Sequence, residues 1–163
     1  MDRRQFLAST ALLASALQVP ASASAASGSG RRLLPLPLAR GDTIGLVSPS
    51  SATDDSFNLQ LAREAMQALG FKVKPGPHLG SRHGHLAGTD AERAGVLHAM
   101  FADTTVKAIV CTRGGSGAAR LLPLIDYDAA ANDPKLIIGA GNTTALLNAL
   151  LQRTRLVTLH GAT

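Results

Sequence analysis

The stretch LIIGAGNTTALL, Leu136–Leu147, is the point from which the rest of the chain can be interpreted. Its apolar start predicts a buried strand, its glycines predict a sharp corner, and its end predicts the first turns of a helix. Many α/β enzymes carry a nucleophile in such a strand-to-helix corner. Here the corner consists of Gly139, Ala140, Gly141 and Asn142, and none of these side chains is a nucleophile. The sequence therefore predicts the corner without the reactive atom.

The same alternation of strand and helix extends along most of the chain. The predicted strands lie in DTIGLVSPS, FKVK, VKAIVCT, PKLIIGA and LVTLH. Between the first two, Phe57, Leu61, Ala65, Met66 and Leu69 have helical spacing. Nearly continuous apolar strands that alternate with helices predict an α/β fold with a doubly wound, mostly parallel sheet of the flavodoxin or Rossmann type.

The loops after the predicted strands form the candidate site, because ligands of such sheets bind at the carboxyl ends of the strands. These loops have the sequences SPSS, TRGGSG, GAGN and HGAT. The glycine-rich turns match neither a phosphate-binding loop, which ends in Gly-Lys-Ser/Thr, nor a complete dinucleotide fingerprint. Their backbone N–H groups could bind an oxyanion or a carboxylate. Tight turns with no ligand are the alternative.

Two side chains near these loops carry nucleophilic atoms. Ser116 lies in GGSGA, which nearly matches a Gly-x-Ser-x-Gly motif, and His160 is the histidine that would have to act as its base. Cys111 is the one cysteine, so no internal disulfide is expected. It ends an apolar strand, which favours a buried thiol over one made reactive by Arg113.

The first 25 residues predict an export signal rather than a part of the fold. Residues 1–25 have a charged start, a short apolar segment and an Ala-x-Ala-like end. Arg3 and Arg4, followed by Gln-Phe-Leu, fit the twin-arginine type, with an ordinary secretion signal as the alternative. The apolar segment is too short to remain as a membrane span. We expect a linker over residues 26–40, a domain over residues 41–163 and a location in the periplasm.

The composition disfavours several kinds of partner. Aromatic residues make up 3% of the chain and tryptophan is absent, which argues against a single-stranded nucleic-acid binder with stacking platforms. The formal net charge of +5 is spread along the chain as on an ordinary surface, with attraction to an anionic cell-wall polymer as the alternative. His78, His83 and His85 lack acidic neighbours and helical spacing, so we expect no metal site and no cofactor.

Several blocks together resemble one family, the LD-carboxypeptidases, also called muramoyl-tetrapeptide carboxypeptidases. The similarity covers about residues 40–162, in GDTIGLVSPS, LAGTDAERAGVLHAMFADTTVKAIVCTRGGSG, RLLPLIDYDAAANDPKLIIGAGNTTALLNAL and LVTLHGA. The resemblance implies an N-terminal α/β domain, a second, mainly β domain, and a serine peptidase that removes the terminal D-alanine from peptidoglycan tetrapeptides. In the family the serine lies in a Gly-aromatic-Ser-Asp corner, and a glutamate and a histidine from the second half complete the triad.

The chain departs from the family pattern at the reactive positions. Gly141 stands where the family has its serine, Asn142 where it has aspartate, and Ala140 where it has an aromatic residue. Ser116 also replaces an aromatic residue, and the chain ends at Thr163, before the half that would supply the glutamate and the histidine. We therefore expect this chain to be catalytically inactive.

Three functions are compatible with this pattern: an inactive carboxypeptidase, a module that binds muropeptides without cutting them, and a gene fragment. For the module, the corner and the loop after the third strand keep their backbone N–H groups. The predicted oxyanion- and substrate-binding residues are Arg113, Gly114, Gly115 and Ser116. Arg113 is the side chain that would meet a peptide carboxylate. We expect peptidoglycan peptides as partners, no nucleic acid, no membrane span after signal cleavage, and a possible homodimer.

Overall fold

The computed structural model describes residues 30–53 and 55–161, and from Arg31 onward these belong to one compact unit. The predicted export signal and the first residues of the predicted linker lie outside the described residues. Later in that linker, Leu33 forms a parallel bridge with Leu156, and its N–H donates to the carbonyl oxygen of Arg155 at 3.0 Å. This part of the linker is therefore attached to the domain.

The described residues form five strands, four α-helices and two 3-10 helices. The strands are β1 (Thr43–Val47), β2 (Lys72–Pro75), β3 (Val106–Cys111), β4 (Leu136–Gly139) and β5 (Leu159–His160). The α-helices are α1 (Ser56–Ala68), α2 (Asp90–Ala102), α3 (Tyr127–Asn132) and α4 (Thr144–Thr154). The 3-10 helices are Ala118–Leu124 and Gly141–Thr143. No helix in the described ranges is long and apolar enough to cross a membrane.

All five strands are parallel, in the order β2-β1-β3-β4-β5. The predicted α/β fold is therefore confirmed, and this strand order is the flavodoxin-like one. The chain passes from β1 outward to β2 and then returns across β1 to β3. The connection after β1 therefore runs toward one edge of the sheet, and the connection after β3 runs toward the other edge. Ligands of such sheets bind where these two connections diverge.

The main core lies on one face of the sheet, against α2 and α4. Leu97 and Phe101 of α2 are at most 2% exposed, and they cluster with Leu146 and Leu150 of α4. Each fully buried side chain of this size contributes roughly 1.5–3 kcal/mol relative to an exposed one. This face therefore supplies most of the hydrophobic stabilisation of the domain.

The other face is covered less completely, because α1 buries none of its residues. The spacing predicted that Phe57, Leu61 and Leu69 would face the core, but they are 63%, 53% and 57% exposed. Met66, a member of the predicted stripe, is half-buried and packs against the sheet together with Ala62, which lies outside the stripe. The predicted stripe is thus confirmed at Met66 and wrong at Phe57, Leu61 and Leu69.

Charged side chains complete both ends of α2. At its start, the Thr-x-x-Glu spacing of Thr89 and Glu92 predicts a capping box. The prediction is confirmed, because the N–H of Thr89 donates to Glu92 Oε2 at 2.7 Å and the N–H of Glu92 donates to Thr89 Oγ1 at 3.3 Å. At its end, Lys135 is 2% exposed and donates through Nζ to the carbonyl oxygens of Met100 and Asp103. Because a cation is favourable at a helix C-terminus, this buried lysine stabilises the end of α2.

Acid is expected to destabilise the domain through Asp103. Its carboxylate accepts a hydrogen bond from Lys74, and further ones from the hydroxyl and N–H of Thr105, which hold its pKa far below the ordinary value. Because the pKa is depressed in the folded state, this stabilisation is present above the unfolded pKa of about 3.9 and is lost as pH falls below it. In urea titrations, wild type should lose more stability between pH 7 and pH 3 than Asp103→Asn. Equal losses of stability in both proteins would contradict the role given to the Asp103 carboxylate.

Candidate active site

Three loops meet at the carboxyl edge of the sheet: the one after β1, the one after β3, and the corner after β4. Ser51, after β1, donates its N–H to the carbonyl oxygen of Gly114 at 3.3 Å. Its Oγ accepts a hydrogen bond from the N–H of Ser116 at 3.0 Å. These two bonds join the first loop to the glycine loop, residues 112–117, and so hold that loop beside the β4 corner.

The β4 corner has the backbone geometry of a nucleophile-carrying turn. Gly141 has a φ of +59°, in the left-handed region, and it opens the 3-10 turn that precedes α4. A sharp, strained strand-to-helix turn of this kind exposes the nucleophile of α/β hydrolases. A Cβ added to Gly141 would lie 3.6 Å from Gly114 Cα and 4.0 Å from Gly115 N. A side chain here would therefore stand beside the glycine loop, and in this chain that space carries no hydroxyl.

Gly114 allows the glycine loop to approach the corner closely. A Cβ on Gly114 would lie 2.8 Å from the carbonyl oxygen of Ala140 and 3.4 Å from the backbone nitrogen of Asn142. Both are backbone atoms, which cannot move aside as a flexible side chain can. The N–H of the next residue, Gly115, has no acceptor among the described residues, and Gly115 is exposed. The close approach thus places an available donor next to the corner.

Asn142 ties the corner to the segment after the glycine loop. Its Oδ1 accepts a hydrogen bond from the N–H of Ala118 at 2.7 Å. The corner is also braced internally, because Thr143 Oγ1 donates to the carbonyl oxygen of Ala140 at 2.7 Å. The acceptor in the first bond is a side-chain oxygen, which an aspartate would also provide. The hydrogen bond to Ala118 therefore requires an oxygen acceptor at position 142 and not a charged one.

Arg113 lies beside a cavity of about 540 Å³ between α1 and the ends of β1 and β3. Its Nη1 donates to the carbonyl oxygen of Ala52 at 2.9 Å, and the residue is exposed. Thr53, Asn58 and Thr112 provide further polar lining, while leucine and alanine side chains of α1 form an apolar wall. The cavity is large enough for a small amphipathic group.

The two nucleophile candidates occupy different settings. Ser116 is exposed at the end of the glycine loop, and no hydrogen bond within the described ranges joins it to His160. His160 lies at the end of β5, where it pairs with Gly139. Cys111 is fully buried, and burial raises the pKa of its thiol to about 12. The buried-thiol interpretation of Cys111 is confirmed, and such a thiol is not ionised at neutral pH.

One of the three histidines after β2, His78, contacts neighbouring polar side chains. His78 Nδ1 lies 3.9 Å from Glu92 Oε1 and 3.4 Å from Ser81 Oγ. In residues 30–53 and 55–161, no group of three or more histidine, cysteine, aspartate or glutamate side chains could hold a metal ion.

Comparison with known proteins assigns the fold to a family. The model of the LD-carboxypeptidase N-terminal domain matches residues 44–161. This chain belongs to the LD-carboxypeptidase family. It is similar to a probable murein peptide carboxypeptidase of Bacillus subtilis, with 42% identity over 127 residues that cover 78% of this chain and 40% of that protein. It is also similar to the microcin C7 self-immunity protein MccF of Escherichia coli, with 38% identity over 79% of this chain and 38% of that protein.

Solved structures of the family show the same fold. An MccF-like protein from Bacillus anthracis superposes with a TM-score of 0.76 at 36% identity, over 79% of this chain and 40% of that one. A muramoyltetrapeptide carboxypeptidase from Oxalobacter formigenes gives a TM-score of 0.66 at 27% identity, over 74% of this chain and 40% of that one. The chain therefore spans about two fifths of the length of these LD-carboxypeptidases and matches their N-terminal part.

Two residues that shape the site were missed by the sequence interpretation. Ser51 lies in SPSS, which was predicted as a site loop, but nothing in the sequence marks its bonds to the glycine loop. Arg93 falls on the apolar stripe of α2 that includes Leu97 and Met100. A charged residue on a buried helix face is a signal that could have been used, because a buried charge requires partners.

Proposed function

We propose that this domain binds the peptide stem of peptidoglycan at the carboxyl edge of its sheet and does not cleave it by a serine mechanism. One observation carries the proposal. The corner keeps the left-handed turn and the contact with the glycine loop, but the residue at the turn is Gly141, which has no hydroxyl. Loss of the nucleophile from a serine triad can cost roughly 10⁶ in kcat.

The remaining groups suit recognition of a peptide end. The backbone nitrogen of Gly115 lies next to the corner, 4.0 Å from a Cβ built on Gly141, and Arg113 adds a guanidinium near the same edge of the sheet. Backbone N–H groups and a guanidinium are the donors that bind carboxylates and oxyanions most strongly. Similarity to a probable murein peptide carboxypeptidase supports a murein peptide as the ligand. The twin-arginine-type leader supports export to the periplasm, where this peptide occurs.

Calorimetry with the murein tetrapeptide, combined with an assay for released D-alanine, tests the proposal. We expect saturable binding by the purified protein and no D-alanine. A tetrapeptide with an amidated carboxyl terminus is the matched control. It should bind at least about tenfold more weakly, because the charge that the donors recognise is absent. Absence of binding, or release of D-alanine, would overturn the proposal.

Gly141→Ser supplies a second arm of the same experiment. The change adds a hydroxyl at the corner and leaves the glycine loop untouched. We expect binding without D-alanine release, because a serine needs a base and no histidine side chain forms a hydrogen bond with this corner in the described ranges. D-alanine release by this variant would show that the chain provides the other catalytic groups.

A further inference from the structure

Arg93 is a buried charge that contacts three of the segments around the site. Its side chain is 1% exposed. Nη1 donates to the carbonyl oxygens of Pro49 at 2.6 Å and Gly117 at 3.1 Å, and Nε donates to that of Gly88 at 3.3 Å. Pro49 follows β1, Gly117 ends the glycine loop, and Gly88 precedes α2. One guanidinium thus fixes the relative positions of these segments.

The bond to Gly117 leads directly to the corner. The carbonyl oxygen of Gly117 and the N–H of Ala118 belong to the same peptide unit. Arg93 donates to this oxygen, and this N–H donates to Asn142 Oδ1 at 2.7 Å. The peptide unit is therefore held from both ends, by the buried cation on one side and by the residue next to Gly141 on the other.

Gly117 has a backbone that suits this arrangement. Its φ of +96° lies in the region that favours glycine, and a Cβ here would come within 2.4 Å of Leu86 Cδ2. The loop can accordingly place its carbonyl against Arg93 only where no side chain intervenes. Gly117 is therefore a position where the backbone conformation and the space beside Leu86 both favour glycine.

We propose that Arg93 is a positioning residue of the site, which orients and polarises the Gly117–Ala118 peptide unit and so fixes Asn142 and the Gly141 corner against the glycine loop. A donor with a full charge makes a stronger hydrogen bond than a neutral one, and polarisation passes along a chain of such bonds. The N–H of Ala118 therefore becomes a better donor to Asn142. The peptide-binding consequence rests on the proposed function, whereas the hydrogen-bond consequence does not.

The charge on Arg93 is balanced by a carboxylate. Asp90 pairs with Arg93 and also accepts from Arg120 Nε at 2.9 Å. Partial burial acts to raise the pKa of Asp90, but hydrogen bonds from Arg120 and Arg93 and their charges outweigh it, so the pKa lies below the ordinary value. Burial lowers the pKa of Arg93 and Asp90 opposes that change, so the guanidinium stays protonated. Asp90 therefore keeps the cation in place without contacting the peptide unit.

Arg93→Lys is the main test, because lysine keeps the charge but lacks the planar fork that reaches several acceptors at once. Arg120→Lys is the matched control, since the Arg120 side chain contacts the same carboxylate and does not contact the peptide unit. The backbone N–H of Arg120 donates to the carbonyl oxygen of Gly117 at 3.2 Å, and the substitution leaves that donor in place. In ¹H–¹⁵N spectra we expect Arg93→Lys to move the Ala118 amide proton upfield. In the same variant, hydrogen exchange of the Ala118 amide should become at least about tenfold faster, relative to exchange of the Ile109 amide in the core. Arg120→Lys should leave both quantities unchanged.

A double-mutant cycle with Asn142→Ala separates positioning from a loss of overall stability. Asn142→Ala removes the acceptor from the other end, and Arg93→Lys should then have little further effect on the Ala118 exchange rate. Additive effects, or an unchanged Ala118 amide in Arg93→Lys, would overturn the proposal. If Arg93→Lys does not fold, Asn142→Ala alone is measured. An Ala118 amide that keeps its shift and exchange rate in Asn142→Ala would likewise overturn the proposal.

Titration of wild type and Arg93→Lys with the murein tetrapeptide separates this proposal from the proposed function. If wild type binds, Arg93→Lys should bind about tenfold more weakly and Arg120→Lys equally well. Equal affinity of Arg93→Lys and wild type would contradict the positioning role. If wild type does not bind, the proposed function fails, and the Ala118 measurements still decide whether Arg93 positions the peptide unit.

Discussion

Replacing Leu97 by alanine should lower the free energy of unfolding by about 2–5 kcal/mol. Leu97 is 0% exposed and lies on α2, in the cluster that also contains Phe101, Leu146 and Leu150. The cost has two parts, the lost transfer free energy of the removed atoms and the cavity that remains in this core cluster. Urea unfolding followed by circular dichroism measures it, as a shift of the transition midpoint at unchanged slope.

A leucine-to-alanine substitution on α1 is the control for Leu97→Ala on α2. Leu61→Ala changes an α1 residue that is 53% exposed, so we expect less than about 1 kcal/mol. The two helices have the same length, 13 residues each, and differ in how far they are buried. Equal losses from the two substitutions would show that α1 is packed more tightly against the sheet than the structure indicates.

Alanine at position 114 should abolish peptide binding and destabilise the domain by about 1–3 kcal/mol. The added Cβ would lie 2.8 Å from the carbonyl oxygen of Ala140 and 3.3 Å from Gly141 Cα, so the glycine loop must move away from the corner. Since the proposed site is formed by that contact, binding should be lost even where the domain stays folded. Calorimetry with the tetrapeptide and urea unfolding measure the two effects separately.

Gly95→Ala is a matched control, because it makes the same chemical change at an exposed position inside α2 with no atom within 4 Å of the new Cβ. We expect it to stabilise the domain by about 0.5–1 kcal/mol, since alanine is a better helix former than glycine. Its peptide affinity should equal that of wild type. If Gly114→Ala behaves like Gly95→Ala, the close approach of loop and corner is unimportant for binding.

The sequence was a good guide wherever local pattern and tertiary structure demand the same residues. The apolar segment that ends at Cys111 is a strand buried on both faces, so its composition alone identifies it. The capping box at Thr89 uses residues three positions apart, and its bonds form within one turn. The corner at Gly141 was recognisable because a strand, two glycines and a helix follow one another directly in the chain.

The features that were missed depend on contacts between distant residues. The stripe of α1 was predicted from its own spacing, but the orientation of the helix depends on the sheet, which contacts Met66 of the stripe and Ala62 outside it. The role of Arg93 depends on Pro49, which is 44 positions away, and on Gly117, which is 24 positions away. Helical spacing carries no information about such partners. They come together only when the strands have assembled in their final order.

Strand β2 has a consequence for self-association. It is the outer strand on one side of the sheet, so the backbone groups on its free side are open to pairing with another chain. Lys72, Lys74 and Pro75, three of its four residues, are exposed. Lysines repel a second copy of the same edge, and proline offers no N–H for a shared ladder. This edge is thus disfavoured for strand-by-strand pairing with a second copy of the domain.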